Sequence, residues 1–304
     1  VEEFVQCFAD ASGRDLTQFF RWYEQAGTPE LIVDTKYDRA AKTFDLTIEQ
    51  HLKPTPGQSI KEPMHMPLRL GLVNEKGEDM PLDLEGTGVL NAPVIEFKDH
   101  KTTFRFRNVA SRPALSLNRD FSAPVKIAAQ ESLADTLFLL GHDGDPFNRW
   151  EAAQRAGTRL IGETMKAISG GGEKPATEGL TSAISRVLSD ARLDQAFKAQ
   201  MLSLPSESDM ASAVGTDVDP DLIFAARHEI AATIGRALKG QLAEIWKATS
   251  ETGPYRPDPA STGRRALRQA CLHLIVAADP GKGAQLAMQE LANPASMTAE
   301  IGAL

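Results

Sequence analysis

Between residues 30 and 108 the apolar side chains follow the two-residue period of β-strands, and this alternation constrains the fold more than any other feature of the sequence. The residues that alternate with polar neighbours are Phe44, Leu46, Ile48, Leu68, Leu70, Leu72, Phe104 and Phe106. The predicted strands are Glu30–Asp34, Thr43–Leu52, Met66–Val73, Val94–Phe97 and Thr102–Asn108. Turn sequences separate the strands and no crossover helix interrupts them. We therefore predict an antiparallel, Ig-like β-sandwich of roughly seven strands over residues 29–127.

Residues 1–28 have the helical period instead. The first predicted helix spans residues 1–13, ends at Gly13, and carries a buried stripe of Val1, Phe4, Val5 and Phe8. The second spans residues 15–26, with Asp15 as its N-cap, Gly27 as a left-handed C-cap, and Pro29 beyond it. Its apolar stripe consists of Leu16, Phe19, Phe20 and Tyr23. Two such short helices cannot form a domain, so we expect them to be the last helices of a domain whose beginning is missing.

From residue 128 to residue 304 the pattern is helical throughout. Asp145-Pro146, Asp219-Pro220 and Asp258-Pro259 each combine an N-cap with proline at the first helical position. Small and apolar residues match in register between two segments, namely Ala152, Ala156, Leu160 and Ile161 with Ala266, Ala270, Leu274 and Ile275. This favours a HEAT-like or armadillo-like helical array over an ordinary bundle. The pattern stops without a capping helix, so we expect an incomplete domain.

The composition excludes several classes of protein. The net charge of −8 is spread evenly along the chain, which argues against nucleic acid or an anionic membrane as the partner. No apolar run is long enough for a membrane span, and no signal peptide opens the chain. The first residue is Val rather than Met, which suggests a processed chain or an excised piece. Cys7 and Cys271 are expected to be buried free thiols, and the chain is expected to be cytoplasmic.

Three strings resemble catalytic or ligand-binding motifs but lack essential residues. His228-Glu229-Ile-Ala-Ala232 has Ala where a zinc peptidase helix needs its second His. His142-Asp-Gly-Asp145 lacks the further ligands of a calcium loop, and Gly281-Lys-Gly283 lacks the hydroxyl residue of a phosphate-binding loop. No two of the histidines lie three or four residues apart. We therefore predict no catalytic, cofactor-binding or metal-binding residue in this chain.

Five segments in order along the chain resemble the M1 family of zinc aminopeptidases, in the aminopeptidase N branch. They are Asp15-Leu-x-x-Phe-Phe-Arg-Trp-Tyr-x-Gln-x-Gly-Thr-Pro29, Tyr37-Asp-Arg39, Phe121-Ser-Ala-Pro-Val-Lys126, Asp145-x-Phe-Asn-Arg-Trp-Glu-Ala-Ala-Gln154 and Arg264-Arg-Ala-Leu-Arg-Gln-Ala-Cys271. The resemblance implies that residues 1–28 close a thermolysin-like catalytic domain and that the sandwich and helical array follow it. The zinc ligands of the family all lie upstream of Val1 by this alignment.

The resemblance therefore implies the non-catalytic C-terminal portion of a zinc aminopeptidase, inactive by itself, which frames and restricts access to the active site. Its partners would be its own catalytic domain and peptide substrates. The apolar side chains expected to face that domain are Phe4, Phe8, Phe19, Phe20, Trp22 and Tyr23. Composition also permits an interaction adaptor that presents a concave surface to a protein partner, or an enzyme whose site the sequence does not reveal.

Overall fold

The computed structural model divides into two compact units. Unit 1 comprises Val1–Asp135 and His142–Asn148, and unit 2 comprises Thr136–Gly141 and Arg149–Leu304. The structure describes residues 1–129, 131–251, 253–292 and 294–304. The domain boundaries predicted from sequence, after residues 28 and 127, stay predictions.

Two β-sheets form most of unit 1. The larger sheet has the strand order β5-β4-β7-β2-β1-β9, and the smaller one has the order β6-β3-β8. The strands of the larger sheet are β1 (Glu30–Asp38), β2 (Thr43–His51), β4 (Asp83–Leu84), β5 (Gly88–Val89), β7 (Lys101–Arg107) and β9 (Lys126–Ala129). Those of the smaller sheet are β3 (Met66–Val73), β6 (Val94–Phe97) and β8 (Ala114–Leu117).

The alternating residues of both sheets meet in one apolar core. Leu46 and Phe106 from the larger sheet and Leu68 and Phe97 from the smaller sheet are all fully buried. Register explains this burial, because Leu46 lies opposite Phe104 and Phe44 opposite Phe106 on neighbouring strands. The predicted sandwich and its inward-facing residues are therefore confirmed.

Pairing in the sheets is antiparallel except at one edge. There β9 runs parallel to β1, with Glu30 opposite Lys126. The sequence predicted β1, β2, β3, β6 and β7 but missed the other four strands, which are two to four residues long. The two-residue strands β4 and β5 cannot show an alternation, and β8 and β9 are defined by their pairing with a neighbour.

The first helix, α1 (Glu2–Ser12), ends as predicted at Gly13, whose φ of 66° places it in the left-handed region. The predicted buried stripe is wrong, because only Val5 is buried. The exposed fractions of Val1, Phe4 and Phe8 are 64%, 63% and 55%. The aromatic side chains of α1 therefore have no cover within the described part of the chain.

The predicted helix over residues 15–26 is also largely wrong. Regular α-helix is confined to α2 (Arg21–Glu24), and the residues before it form turns. The carboxylate of Asp15 accepts a hydrogen bond from the backbone N–H of Thr17 at 2.9 Å, and this local turn replaces a helix cap. Gly27 has a φ of 105° but lies beyond the cap residue Gln25.

Among the described residues after β9, all the regular structure is helical. They are α3 (Leu133–His142), α4 (Pro146–Gly170), α5 (Glu178–Ser189), α6 (Gln195–Met201), α7 (Glu207–Val214), α8 (Pro220–Ala237), α9 (Lys239–Ala248), α10 (Pro259–Ala278), α11 (Pro280–Ala292) and α12 (Met297–Ala303). No helix among the described residues is long and apolar enough to cross a bilayer.

The three Asp-Pro pairs begin α4, α8 and α10, as predicted. The carboxylates of Asp145, Asp219 and Asp258 each accept a hydrogen bond from a backbone N–H of the first helical turn, at 2.8, 3.1 and 3.0 Å. These bonds satisfy donors that a helix start leaves without partners, so the local sequence alone determines where each helix begins.

Helix α10 lies at the centre of unit 2, where it packs against α6, α8, α9, α11 and α12. Cys271 on this helix is buried, and burial raises the pKa of its thiol to about 12. Cys7 on α1 is exposed, so the prediction of a buried thiol is wrong for that residue. Both cysteines are free.

A buried polar network within unit 1 surrounds Arg119, which follows β8. Its guanidinium donates to both carboxylate oxygens of Asp79, at 2.7 and 2.8 Å, and forms an ion pair with Asp143 at 2.8 Å. Ser116 accepts from the Arg119 Nε at 2.8 Å and donates to Asp143. Burial alone would lower the pKa of Arg119, but the bond to Asp79 and the charges of Asp143 and Asp79 outweigh it and raise the pKa. The cation is therefore stable only as part of this network.

Replacing Arg119 with Leu should lower the free energy of opening β3 and β8 by about 3–5 kcal/mol, because Asp143 would remain buried without its counter-charge. Hydrogen exchange of the amides in these strands, read by mass spectrometry, measures this locally. The control is Arg69→Leu, which removes an exposed ion pair with Asp120 and should cost about 0–1 kcal/mol. Equal losses in both variants would show that burial of the Arg119 network contributes nothing.

Candidate functional site

The string that most resembles a zinc motif lies on α8 and is occupied by other contacts. The His228 ring stacks on Phe224 with centroids 6.1 Å apart, and Ala232 is buried. Glu229 forms ion pairs with Lys174 and Arg236, each at 3.2 Å. Burial alone would raise the pKa of Glu229, but these two cations outweigh it and lower the pKa. Glu229 is thus a paired surface carboxylate, which is a poor general base.

The string His142-Asp-Gly-Asp145 serves the fold of unit 1. Asp143 faces Arg119, and Asp145 accepts from the backbone N–H groups of Asn148 and Asp120, at 2.8 and 3.1 Å. Burial raises the pKa of Asp145 in spite of these bonds. The carboxylate oxygens that would have to bind a calcium ion therefore already bind other groups of the protein.

Gly281-Lys-Gly283 lies in the first turn of α11, where its groups have partners within unit 2. The backbone N–H of Lys282 donates to the Asp279 carboxylate at 3.0 Å. A side chain at Gly283 would overlap Val276, so this glycine serves close packing with α10. Across the described ranges, no group of three or more His, Cys, Asp and Glu residues is placed to hold a metal ion.

The segments that resemble the M1 family perform structural tasks in unit 1. Tyr37 donates its hydroxyl to the carbonyl of Val109 at 3.3 Å, and the carboxylate of Asp38 accepts from the next turn. Ser122 accepts from the backbone N–H of Arg69 at 2.8 Å. Asn148 donates to Ser116 at 2.7 Å and to a β8 carbonyl. The resemblance thus rests on residues that fix the backbone.

The segment of unit 2 that resembles the M1 family, residues 264–271, contains two arginines of α10 that form ion pairs. Arg265 is buried and contacts Glu251 at 2.8 Å, and Arg268 contacts Glu290 at 2.5 Å. The Arg268 guanidinium also lies 3.4 Å from the centroid of the Trp246 ring. Here too the matching residues pack and pair with others of the same unit.

Residues 14–25 attach to the sandwich through side chains that donate to its backbone carbonyls. Trp22 donates its indole N–H to His65 at 2.8 Å and packs against the core. Arg21 donates to Pro63 at 2.6 Å, and Gln25 exchanges hydrogen bonds with the backbone of Glu62. This is why the regular helix is so short, since the side chains follow the sandwich rather than a helical face.

The aromatic residues of the segment separate into two groups. Phe19, Phe20 and Trp22 are half-buried, and Tyr23 is 54% exposed. Together with Phe4 and Phe8 of α1, whose rings are 5.0 Å apart, Tyr23 leaves large apolar side chains in contact with solvent. We call Val1, Phe4 and Phe8 the exposed face of α1. It is the clearest candidate interface of unit 1, because exposed aromatic rings on one helix face are typical of docking surfaces.

Comparison with known proteins identifies the two regions. Residues 27–130 match a family model described as a domain of unknown function (DUF3458) with an Ig-like fold. Residues 133–304 match the corresponding C-terminal model (DUF3458_C), described as ARM repeats. These matches confirm the predicted fold class, a β-sandwich followed by a helical array.

Relatives named aminopeptidase N match nearly all of this chain. The Escherichia coli protein is 32% identical over 303 residues, covering 100% of this chain and 34% of the relative. The Caulobacter vibrioides protein is 36% identical over 280 residues, covering 92% and 31%. The crystal structure of Legionella pneumophila aminopeptidase A in complex with aspartic acid has the same fold, with a TM-score of 0.81 and 23% identity over 100% of this chain and 34% of that one.

The fold and these relatives define a region made of a β-sandwich and a helical array, which is similar to about a third of the length of proteins named aminopeptidase N. The chain belongs to the DUF3458 family and corresponds to the C-terminal, non-catalytic region of M1 aminopeptidases. It spans about a third of the length of the curated relatives that it matches.

Replacing Trp22 with Ala should release residues 14–25 from the sandwich, because both the packing and the hydrogen bond to His65 are lost. We expect backbone amides in this segment to exchange at least about tenfold faster, which corresponds to the roughly 1.4 kcal/mol of a single such anchor. Tyr23→Ala is the matched control, because its ring is mostly in solvent, and it should change exchange less than about twofold. A larger effect of the Tyr23 substitution would contradict this anchoring.

Proposed function

We propose that this chain is the non-catalytic part of a zinc metalloaminopeptidase that removes N-terminal residues from peptides. The observation that carries the proposal is the match to aminopeptidase N along the whole of this chain, at 32% identity to one relative. In this proposal residues 1–28 are the last helices of a catalytic domain, residues 29–127 the sandwich and residues 128–304 the helical domain. The reaction then takes place outside this chain.

Zinc belongs, in this proposal, to the catalytic domain. The described residues do not fit a zinc site, because the one zinc-like string has Ala232 in place of a ligand and its Glu229 is paired with Lys174 and Arg236. We derive no catalytic step through this chain. Its contribution is to frame the active site, so that short peptides can enter while water and folded proteins are excluded.

The exposed face of α1 supports a catalytic domain as the partner. Phe4 and Phe8 expose more than half of their surface, which is costly in water and favourable once another apolar surface covers them. Nucleic acid and membrane are not proposed partners, given the net charge of −8. We propose a cytoplasmic location for the parent enzyme, consistent with two free thiols.

The adaptor alternative is not favoured. It rests on composition and on the array alone, whereas two relatives named aminopeptidase N match at 32% and 36% identity, along 100% and 92% of this chain. Reading the genomic frame upstream of Val1 distinguishes the two functions. The peptidase proposal requires His-Glu-x-x-His and a downstream Glu ligand there, and a frame without them would leave the adaptor.

The purified chain should neither retain zinc nor hydrolyse an alanine anilide. After incubation with zinc and dialysis, elemental analysis should find well under one ion per chain, because no ligand set is present among the described residues. A zinc aminopeptidase treated in the same way is the positive control. Zinc-dependent anilide turnover by the chain itself would refute the proposal that the reaction takes place outside this chain.

Replacing Phe4 and Phe8 together with Ser should reduce self-association of the isolated chain. Each ring buried in a contact contributes about 1.5–3 kcal/mol, so the double substitution should weaken association by at least about tenfold in sedimentation or light scattering. Phe224→Ser on α8 is the matched control, because that ring is 60% exposed but stacks on His228. If only the Phe224 variant altered association, the exposed face of α1 would not be the surface through which the chain self-associates.

A further inference from the structure

A groove in unit 2 holds basic side chains and has no carboxylate among its lining residues. Helices α6, α8 and α10 and the turn after α6 line it, and it encloses about 1060 Å³ of empty space, part of it open to solvent. Arg227 of α8 and His273 of α10 face this space. Its apolar lining includes Leu204, Ala266 and Ala270.

Arg227 is positioned but has no counter-charge. Its Nε donates to the carbonyl of Pro205 at 2.9 Å, which fixes the guanidinium at the groove. Over the part of the chain that the structure describes, no carboxylate pairs with it. Three other arginines of unit 2, by contrast, are paired: Arg236 with Glu229, Arg265 with Glu251 and Arg268 with Glu290. The groove therefore carries the positive charge of Arg227, with which no carboxylate of the described residues forms an ion pair.

His273 of α10 lines the same groove. Partial burial lowers the pKa of His273, and so do the charges of Arg227 and His228. Arg227 and His273 line the same groove, and His228 directly follows Arg227 on α8. An anion in the groove would relieve their mutual repulsion and would favour the protonated imidazole.

The apolar part of the groove depends on small side chains of α10. Ala266 and Ala270 lie one turn apart, and both are half-buried rather than covered by a neighbouring helix. Leu204 is also half-buried. Small residues on α10 leave room for a ligand chain along that turn, with Arg227 on α8 and His273 further along α10.

We propose that this groove binds an organic carboxylate with an apolar tail, the carboxylate at Arg227 and His273 and the tail along Ala266, Ala270 and Leu204. A guanidinium fork binds a planar carboxylate through two parallel hydrogen bonds, and an alkyl tail removes apolar surface from water. Inorganic phosphate supplies the charge without the tail. The proposal is argued only from groove residues of unit 2 and does not require the proposed peptidase function.

Octanoate is the probe. We expect it to shift the His273 imidazole signals of the ¹⁵N-histidine-labelled chain, identified with a His273→Asn variant, with a dissociation constant of about 1 mM or below. Octanol, which has the tail without the charge, and phosphate, which has charge without the tail, should each bind at least about tenfold more weakly. Equal binding of octanol or of phosphate would overturn the proposal.

Two variants test the two halves of the groove. Arg227→Gln removes the charge and should weaken octanoate binding by about tenfold, whereas Arg236→Gln on the same helix should leave it unchanged. Ala270→Leu fills the tail region without changing the charge and should also weaken binding by about tenfold. This second variant decides the matter if Arg227→Gln does not fold, as judged by circular dichroism. Unchanged binding in a folded variant of either kind overturns the assignment.

Discussion

The ion pairs of Arg119 with Asp79 and Asp143 are the interaction on which the fold of unit 1 depends most. A buried guanidinium is costly to desolvate, and only a complete set of partners offsets that cost. The backbone around it is also strained, since Asn118, Asp120 and Phe121 all have positive φ values without being glycine. The side chain of Asn118 offsets part of this strain by hydrogen bonding both the N–H and the carbonyl of Ala123. The network and the strained turn therefore lie in the same short segment, on either side of Arg119.

This constraint also accounts for the partners of the acidic residues after α3. Asp143 is held by Arg119 and Ser116, and Asp145 caps α4. A side chain at Gly71 would collide with the Arg119 guanidinium, so the close approach of β3 is part of the same arrangement. Carboxylates that satisfy buried donors cannot bind a cation without opening the network. The string that resembles a fragment of a calcium loop thus supplies an ion pair and a helix cap to unit 1.

The features that sequence predicted well are those determined within a few residues. The three Asp-Pro starts need only a carboxylate and the next turn, and the strand alternation needs only one buried face. Residues 15–26 failed because their helical pattern competes with carbonyls of the sandwich more than thirty residues away, to which Arg21, Trp22 and Gln25 donate. The parallel edge strand β9 was missed for the same reason, as its partner β1 is distant in sequence. That this chain has no catalytic residue stays a prediction, because it rests on the essential residues that three motif-like strings of the sequence lack.

Helices α4 and α10 share a spacing of small residues, but this spacing does not determine how fully those residues are buried. Ala152 and Ala156 are covered on α4, as a packed array requires, whereas the matching Ala266 and Ala270 are half-buried at a groove. The same spacing therefore gives a closed contact in one helix and an open one in the other. The difference comes from the neighbouring helices, which sequence periodicity does not specify. Incompletely covered turns of this kind are where a ligand can bind, provided that a charge such as that of Arg227 lies beside them.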